Sequence, residues 1–136
     1  MKEISVFLPN NPGVLAKFIA LLNDSNIIIK ALTVAETPEY GLLLILVDKP
    51  NECIDLLEKN DYNINATEVL ALKMPNDMDA LFDIANILGR NNVNIEYLYM
   101  TVVGNSNLII VRVNDNKKAV KVLKENHFIL ADIEEL

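Results

Sequence analysis

The sequence predicts an α+β protein made of two βαββαβ units in tandem. Three observations carry this. The chain lies on itself after a shift of 66 residues, without a gap. Each copy alternates short apolar, partly β-branched runs with segments of helical periodicity. Turn-forming residues separate those runs at matching places in both copies. Pro9-Asn10 falls on Pro75-Asn76, Leu15 on Leu81, Leu22 on Leu88, Asn26-Ile27 on Asn92-Val93, and residues 42–47 on 108–113. A long gapless period means two copies of one folding unit. The units are predicted as residues 1–67 and 68–136. Element order β-α-β-β-α-β gives a ferredoxin-like, four-stranded antiparallel sheet with both helices on one face.

In the first unit, residues 3–8 form a short strand, and Asn10-Asn11-Pro12-Gly13 interrupts it. Leu15, Phe18, Ile19 and Leu22 then repeat at helical spacing, and residues 23–26 end the helix. Residues 27–35 are extended, 37–41 turn, and 42–47 form a strand. Pro50 opens a second helix, with Cys53, Leu56 and Leu57 inward. Asn60-Asp61 closes it, and 62–67 is extended. The second unit gives strand 69–74, helix 78–90, strand 93–102, a turn at Gly104-Asn105, strand 107–113, helix 116–125 and strand 128–133.

No glycine or proline falls between residues 64 and 74, so the units are expected to form one rigid body. The second strands, 27–35 and 93–102, are edges in this topology, and an open edge tends to find a partner. The expectation is that they meet, so that the units pack side by side into one eight-stranded antiparallel sheet with four helices on one face. Residues 42–47 and 108–111 are apolar on both sides of the strand, whereas a sheet covered on one side should alternate. A homodimer follows as an expectation, with the helix-free faces covering one another.

Composition removes several function classes. Half of the residues are apolar (51%), with 5 prolines and 4 glycines, which argues against disorder. The net charge of −7 and the lack of a basic run argue against nucleic-acid binding. An RNA-binding sheet of the same element order would need exposed aromatic and basic residues. The run at 42–47 is far too short to span a bilayer, so no membrane association is expected. Met1-Lys2 leads directly into strand-like sequence, and a cytoplasmic location is the expectation. With one cysteine and one histidine there is no zinc-ligand pattern, and no cofactor is called for. Cys53 aligns with Ala119 and reads as a small buried residue; His127 aligns with Asp61 and reads as solvated in a turn. No acid–base pair, nucleophile triad or phosphate loop is present, so an enzyme is not expected.

The loop Asn10-Asn11-Pro12-Gly13-Val14-Leu15 joins the first strand to the first helix. Its asparagines can cap the helix, Pro12 suits a first turn, and Gly13 allows the backbone to approach something closely. Free N–H groups at a helix start attract a carboxylate or another anion. The plain alternative is a well-made helix start.

The segment Leu8-Pro9-Asn10-Asn11-Pro12-Gly13-Val14-Leu15, followed by Asn26-Ile27-Ile28-Ile29, resembles an ACT domain. ACT domains are small modules that bind amino acids and regulate metabolic enzymes. The whole chain is similar to stand-alone tandem ACT proteins, with support from residues 29–35, Tyr40-Gly41-Leu42 and 93–99. The resemblance implies a non-enzymatic regulatory protein that binds a free amino acid where two ACT units lie side by side. One unit offers the loop, and its neighbour offers an asparagine early in the second strand. In the family's serine-binding members the loop asparagine stands three positions before the glycine, which is Asn10 here. The partner asparagine corresponds to Asn94.

The implied site is therefore Asn10, Asn11, Pro12, Gly13, Val14 and Leu15 with Asn94. The reciprocal set is incomplete. Asn76 is retained, but Asp77-Met78-Asp79 replaces the proline and glycine, and Ile28 stands where Asn94 stands in the other copy. Asp77 and Asp79 would repel a carboxylate. The expectation is one amino-acid site per chain. The alternative is a ligand-free dimerisation or assembly scaffold of the same fold.

Overall fold

The computed structural model describes residues 1–36, 40–74 and 79–132. Three predicted features fall partly outside them: the turn at 37–41, the second loop at 76–80 and the last strand at 128–133. Among the described residues there are four helices and seven strands, in chain order β1 (Lys2–Pro9), α1 (Val14–Asp24), β2 (Ile29–Glu36), β3 (Tyr40–Val47), α2 (Pro50–Lys59), β4 (Asn63–Glu68), β5 (Leu70–Lys73), α3 (Ala80–Arg90), β6 (Ile95–Val103), β7 (Ser106–Val113) and α4 (Asn116–Glu125). The chain divides into two compact units, Lys2–Thr67 and Met1 with Glu68–Leu136.

The α+β class and the tandem βαββαβ architecture stand. The first unit has a sheet of order β2-β3-β1-β4, and the second a sheet of order β5-β7-β6. The described strand pairs are antiparallel: β1 and β2 flank β3, and β5 and β6 flank β7. The seven described strands are thus hydrogen-bonded as a four-stranded and a three-stranded sheet. The predicted last strand narrows to a single bridge between Leu72 and Leu130. Lys73 N–H donates to the Ile129 carbonyl at 2.9 Å and Ala131 N–H to that of Ala71 at 2.8 Å. The segment still runs beside β5, in the place that β4 takes beside β1.

The core of each unit sits between sheet and helices. In the first, Ile4, Val6 and Leu8 of β1 and Leu43, Ile45 and Val47 of β3 meet Phe18, Leu22, Cys53 and Leu57. Phe18 is fully buried, edge-on to Tyr62 at 5.4 Å between ring centroids. Full burial of such a side chain stabilises by roughly 1.5–3 kcal/mol. In the second unit Leu72, Ile109, Val111 and Val113 meet Ile84, Leu88, Ala119 and Leu123.

All four helices end in one way. Asn26, Asp61, Asn92 and His127 have φ of 58°, 61°, 57° and 67°. At each, the following N–H reaches back five residues: Ile27 to Leu22, Tyr62 to Leu57, Val93 to Leu88 and Phe128 to Leu123, at 2.8–3.0 Å. This is a Schellman motif, built here without glycine. It makes Ile27 and Val93 part of the helix stop, so β2 and β6 begin two residues later than the hydrophobic pattern predicts.

Away from the helices, Leu46 of β3 is 1% exposed and Leu108 and Ile110 of β7 are 0% exposed. Exposed apolar side chains lie instead on the edge strands, at Leu32 and Val34 of β2 and Met100 and Val102 of β6.

Candidate functional site

The loop after β1 is shaped by a proline–glycine turn. Val14 N–H donates to the Asn11 carbonyl at 3.3 Å, and Gly13 between them has φ 85° and ψ −12°. These values, with proline before the glycine, define a type II turn. A residue with a Cβ is strained at that φ, by roughly 1–2 kcal/mol. Asn11 N–H closes a tighter turn on the Pro9 carbonyl at 3.0 Å.

The asparagines do not cap α1, contrary to expectation. Gly13 is the N-cap, and no side chain accepts from the first turn. The reason is the turn itself: it commits the Asn11 carbonyl to Val14 and moves the helix start past Pro12. The first bond into the helix runs from Lys17 N–H to the Gly13 carbonyl at 3.1 Å. The amides of Leu15 and Ala16 have no backbone acceptor among the described residues. No acidic residue stands in the first turn. The positive end of the helix is open to an anion.

Beside this helix start lies a pocket of about 90 Å³, lined by Leu8, Pro9, Asn10, Asn11, Leu15, Val34 and residues 41–43. Asn10, Asn11, Pro12 and Gly13 are exposed, Val14 is half-buried and Leu15 is 37% exposed. Of the predicted loop residues, Asn10, Asn11 and Leu15 line the pocket; Pro12, Gly13 and Val14 are not among its lining residues. The sequence missed Leu8, Val34, Gly41, Leu42 and Leu43. The register explains their convergence, since Leu8 pairs with Gly41 and Val34 with Leu43. One signal was available: glycine at 41 has Asn107 as its counterpart.

Asn94 precedes β6 in the second unit, with its side chain exposed. Its backbone is clamped: Asn94 N–H donates to Asn114 Oδ1 at 2.9 Å, and Asn114 N–H donates to the Asn94 carbonyl at 3.2 Å. The first unit repeats the clamp, with Ile28 N–H to Asp48 Oδ1 at 2.8 Å and Asp48 N–H to the Ile28 carbonyl at 3.1 Å. The clamp belongs to the fold; the side chain at 94 is not needed for it. In the second unit α3 starts at N-cap Asp79, with φ −94°. A carboxylate thus stands where the first unit has glycine.

Larger open depressions lie elsewhere. One of about 430 Å³ is lined by Asp83, Arg90 and His127 among others, and one of about 310 Å³ by Glu52, Asp55 and Lys59 among others. They lie on solvated helix surfaces, away from the open helix start. Cys53 is fully buried, and burial, with Asp48 adding to it, pushes its thiol up to about 11, against the thiolate form. Among the described residues no group of three or more His, Cys, Asp or Glu could hold a metal ion, and no helix is long and apolar enough to cross a membrane.

A protein-family model described as an ACT domain pair matches residues 1–136. Among solved structures, the chain is similar to protein BT0572 from Bacteroides thetaiotaomicron, at 31% identity and TM-score 0.91, covering 99% of this chain and 96% of that one. It is also similar to the ligand-free regulatory subunit of aspartate kinase from Thermus thermophilus, at 14% identity and TM-score 0.66, covering 91% of each chain. Identity that low shows a shared fold. No curated protein matches the chain.

Proposed function

The chain belongs to the ACT domain pair family, and from that membership we propose that it is a non-enzymatic regulatory protein that binds a free amino acid. The observation that carries this is the open start of α1. Two amides without backbone acceptors follow a glycine N-cap, and a pocket lined by Asn10, Asn11 and Leu15 lies beside that helix start. An α-carboxylate fits that end, and the asparagines can divide the α-amino contacts. Asn94 is proposed as the further polar contact, offered by the neighbouring ACT unit. The regulatory subunit of aspartate kinase from Thermus thermophilus, a protein of like fold, is in keeping with this role. The proposed setting is cytoplasmic, as a homodimer, with a metabolic enzyme as the regulated partner. Nucleic acid and membrane are not proposed partners.

The second reading is a ligand-free assembly scaffold. Exposed Leu32, Val34, Met100 and Val102 on edge strands favour it. A thermal-shift screen against the twenty amino acids separates the two. A ligand at one hundred times its Kd stabilises the fold by about 2.7 kcal/mol. Asn94→Ala is expected to weaken binding roughly ten- to a hundredfold, the cost of a hydrogen bond to a charged group. Asn76→Ala is expected to do little. A flat response to every amino acid, with an intact dimer, supports the scaffold.

A further inference from the structure

The loop accounts for the groups shared by all amino acids; the opposite wall bears on the side chain. We infer that the pocket takes a short aliphatic amino acid, of valine to leucine size, and that Gly41 sets this size. The inference rests on the amino-acid reading above.

The floor of the pocket is Leu8 and Leu43, at 6% and 1% exposed, and Leu15 and Val34 stand at its sides at 37% and 43%. Among the described residues no charged side chain lines it. A charged ligand side chain would lose its water there and gain no partner, which is strongly unfavourable. The space, about 90 Å³, compares with roughly 30 Å³ for one water. It therefore holds about three water-sized groups, close to the branched carbons of valine and leucine.

Gly41 is not required by the sheet. A Cβ built there meets only the Leu8 carbonyl oxygen, at 3.8 Å, an ordinary contact. Its φ lies outside the left-handed region that would demand glycine. Glycine inside a strand weakens it, and often marks a place where a ligand comes close. Paired with Leu8, it leaves open the volume that a side chain would fill. The second unit carries exposed Asn107 at that position, so the vacancy is a property of the first unit.

The test is calorimetric titration of the full chain with alanine, valine, leucine, serine, aspartate and lysine, repeated on Gly41→Ala and Val34→Ala. Valine and leucine are expected to bind tightest. Gly41→Ala should keep the fold yet weaken valine and leucine by about tenfold or more, the usual effect of one methyl group in such a pocket, and weaken alanine less. Val34→Ala, at a half-exposed position, should shift preference toward leucine. Preference for serine, aspartate or lysine, or an unchanged ranking in both variants, overturns the aliphatic assignment and leaves the amino-acid reading standing. Failure of every amino acid to bind overturns both.

Discussion

Helices α1 and α3 hold the same place in their units and begin in opposite ways. Gly13 opens α1, without a cap and without an acid in the first turn; Asp79 opens α3, and Asp83 adds a second carboxylate. Beneath these starts the units agree. Phe18 and Ile84, Leu22 and Leu88, Cys53 and Ala119, and Leu57 and Leu123 are all fully buried. The helix stops agree, and so do the clamps at Ile28 and Asn94. Interior and helix stops repeat, whereas Gly13 and Asp79, Ile28 and Asn94, and Gly41 and Asn107 do not. A position whose exchange costs the fold little is free to serve a ligand. The repeat thus works as an internal control for what is fold and what is function.

The largest expected effect probes the shared interior. Phe18→Ala should destabilise by about 3–5 kcal/mol and Ile84→Ala by about 2–5 kcal/mol. Urea denaturation read with a probe in each unit measures both. A cost near zero for one of them would show that the two interiors are not equivalent. Next comes the turn. Gly13→Ala should cost about 1–2 kcal/mol through its positive φ and should also reduce amino-acid affinity. Asp79→Ala has no such strain to create, so its binding curve should be unchanged. Equal binding losses would erase the distinction between the two helix starts.

A smaller effect concerns α2 and α4. Asp115 caps α4, accepting from Lys118 N–H at 3.1 Å, whereas Lys49 leaves α2 without a side-chain cap. Asp115→Ala should cost about 1 kcal/mol, seen as a lower denaturation midpoint. The smallest effect has the opposite sign. His127 and Asp61 occupy left-handed conformations after their helices. Replacing either with glycine should stabilise by several tenths to about 1 kcal/mol. Destabilisation at one site alone would point to a further role for that side chain.

Much of this was legible because it is local. The repeat, the helices and the proline–glycine turn are written in neighbouring residues. The site was legible as far as residues 10–15, for the same reason. What escaped depends on pairing across the sheet. Leu8 is distant in sequence from Val34 and Gly41, and the three are brought together by the β1–β3 and β2–β3 registers. The helix start was misplaced because an asparagine can cap a helix or supply a turn carbonyl, and Pro12-Gly13 selects the turn. Glu3 was equally opaque: it is fully buried in β1, with Val69 as its counterpart. The apolar faces of β3 and β7 were recognised as needing cover, but composition does not say what supplies it.

The central claim is that the two units have diverged so that one binds and the other does not. Stoichiometry tests it most directly. Isothermal titration of the intact chain with the amino acid that gives the largest thermal shift should reach saturation at one ligand per chain. Two ligands per chain would contradict the account, because the helix start at Asp79 would then bind as well as the one at Gly13.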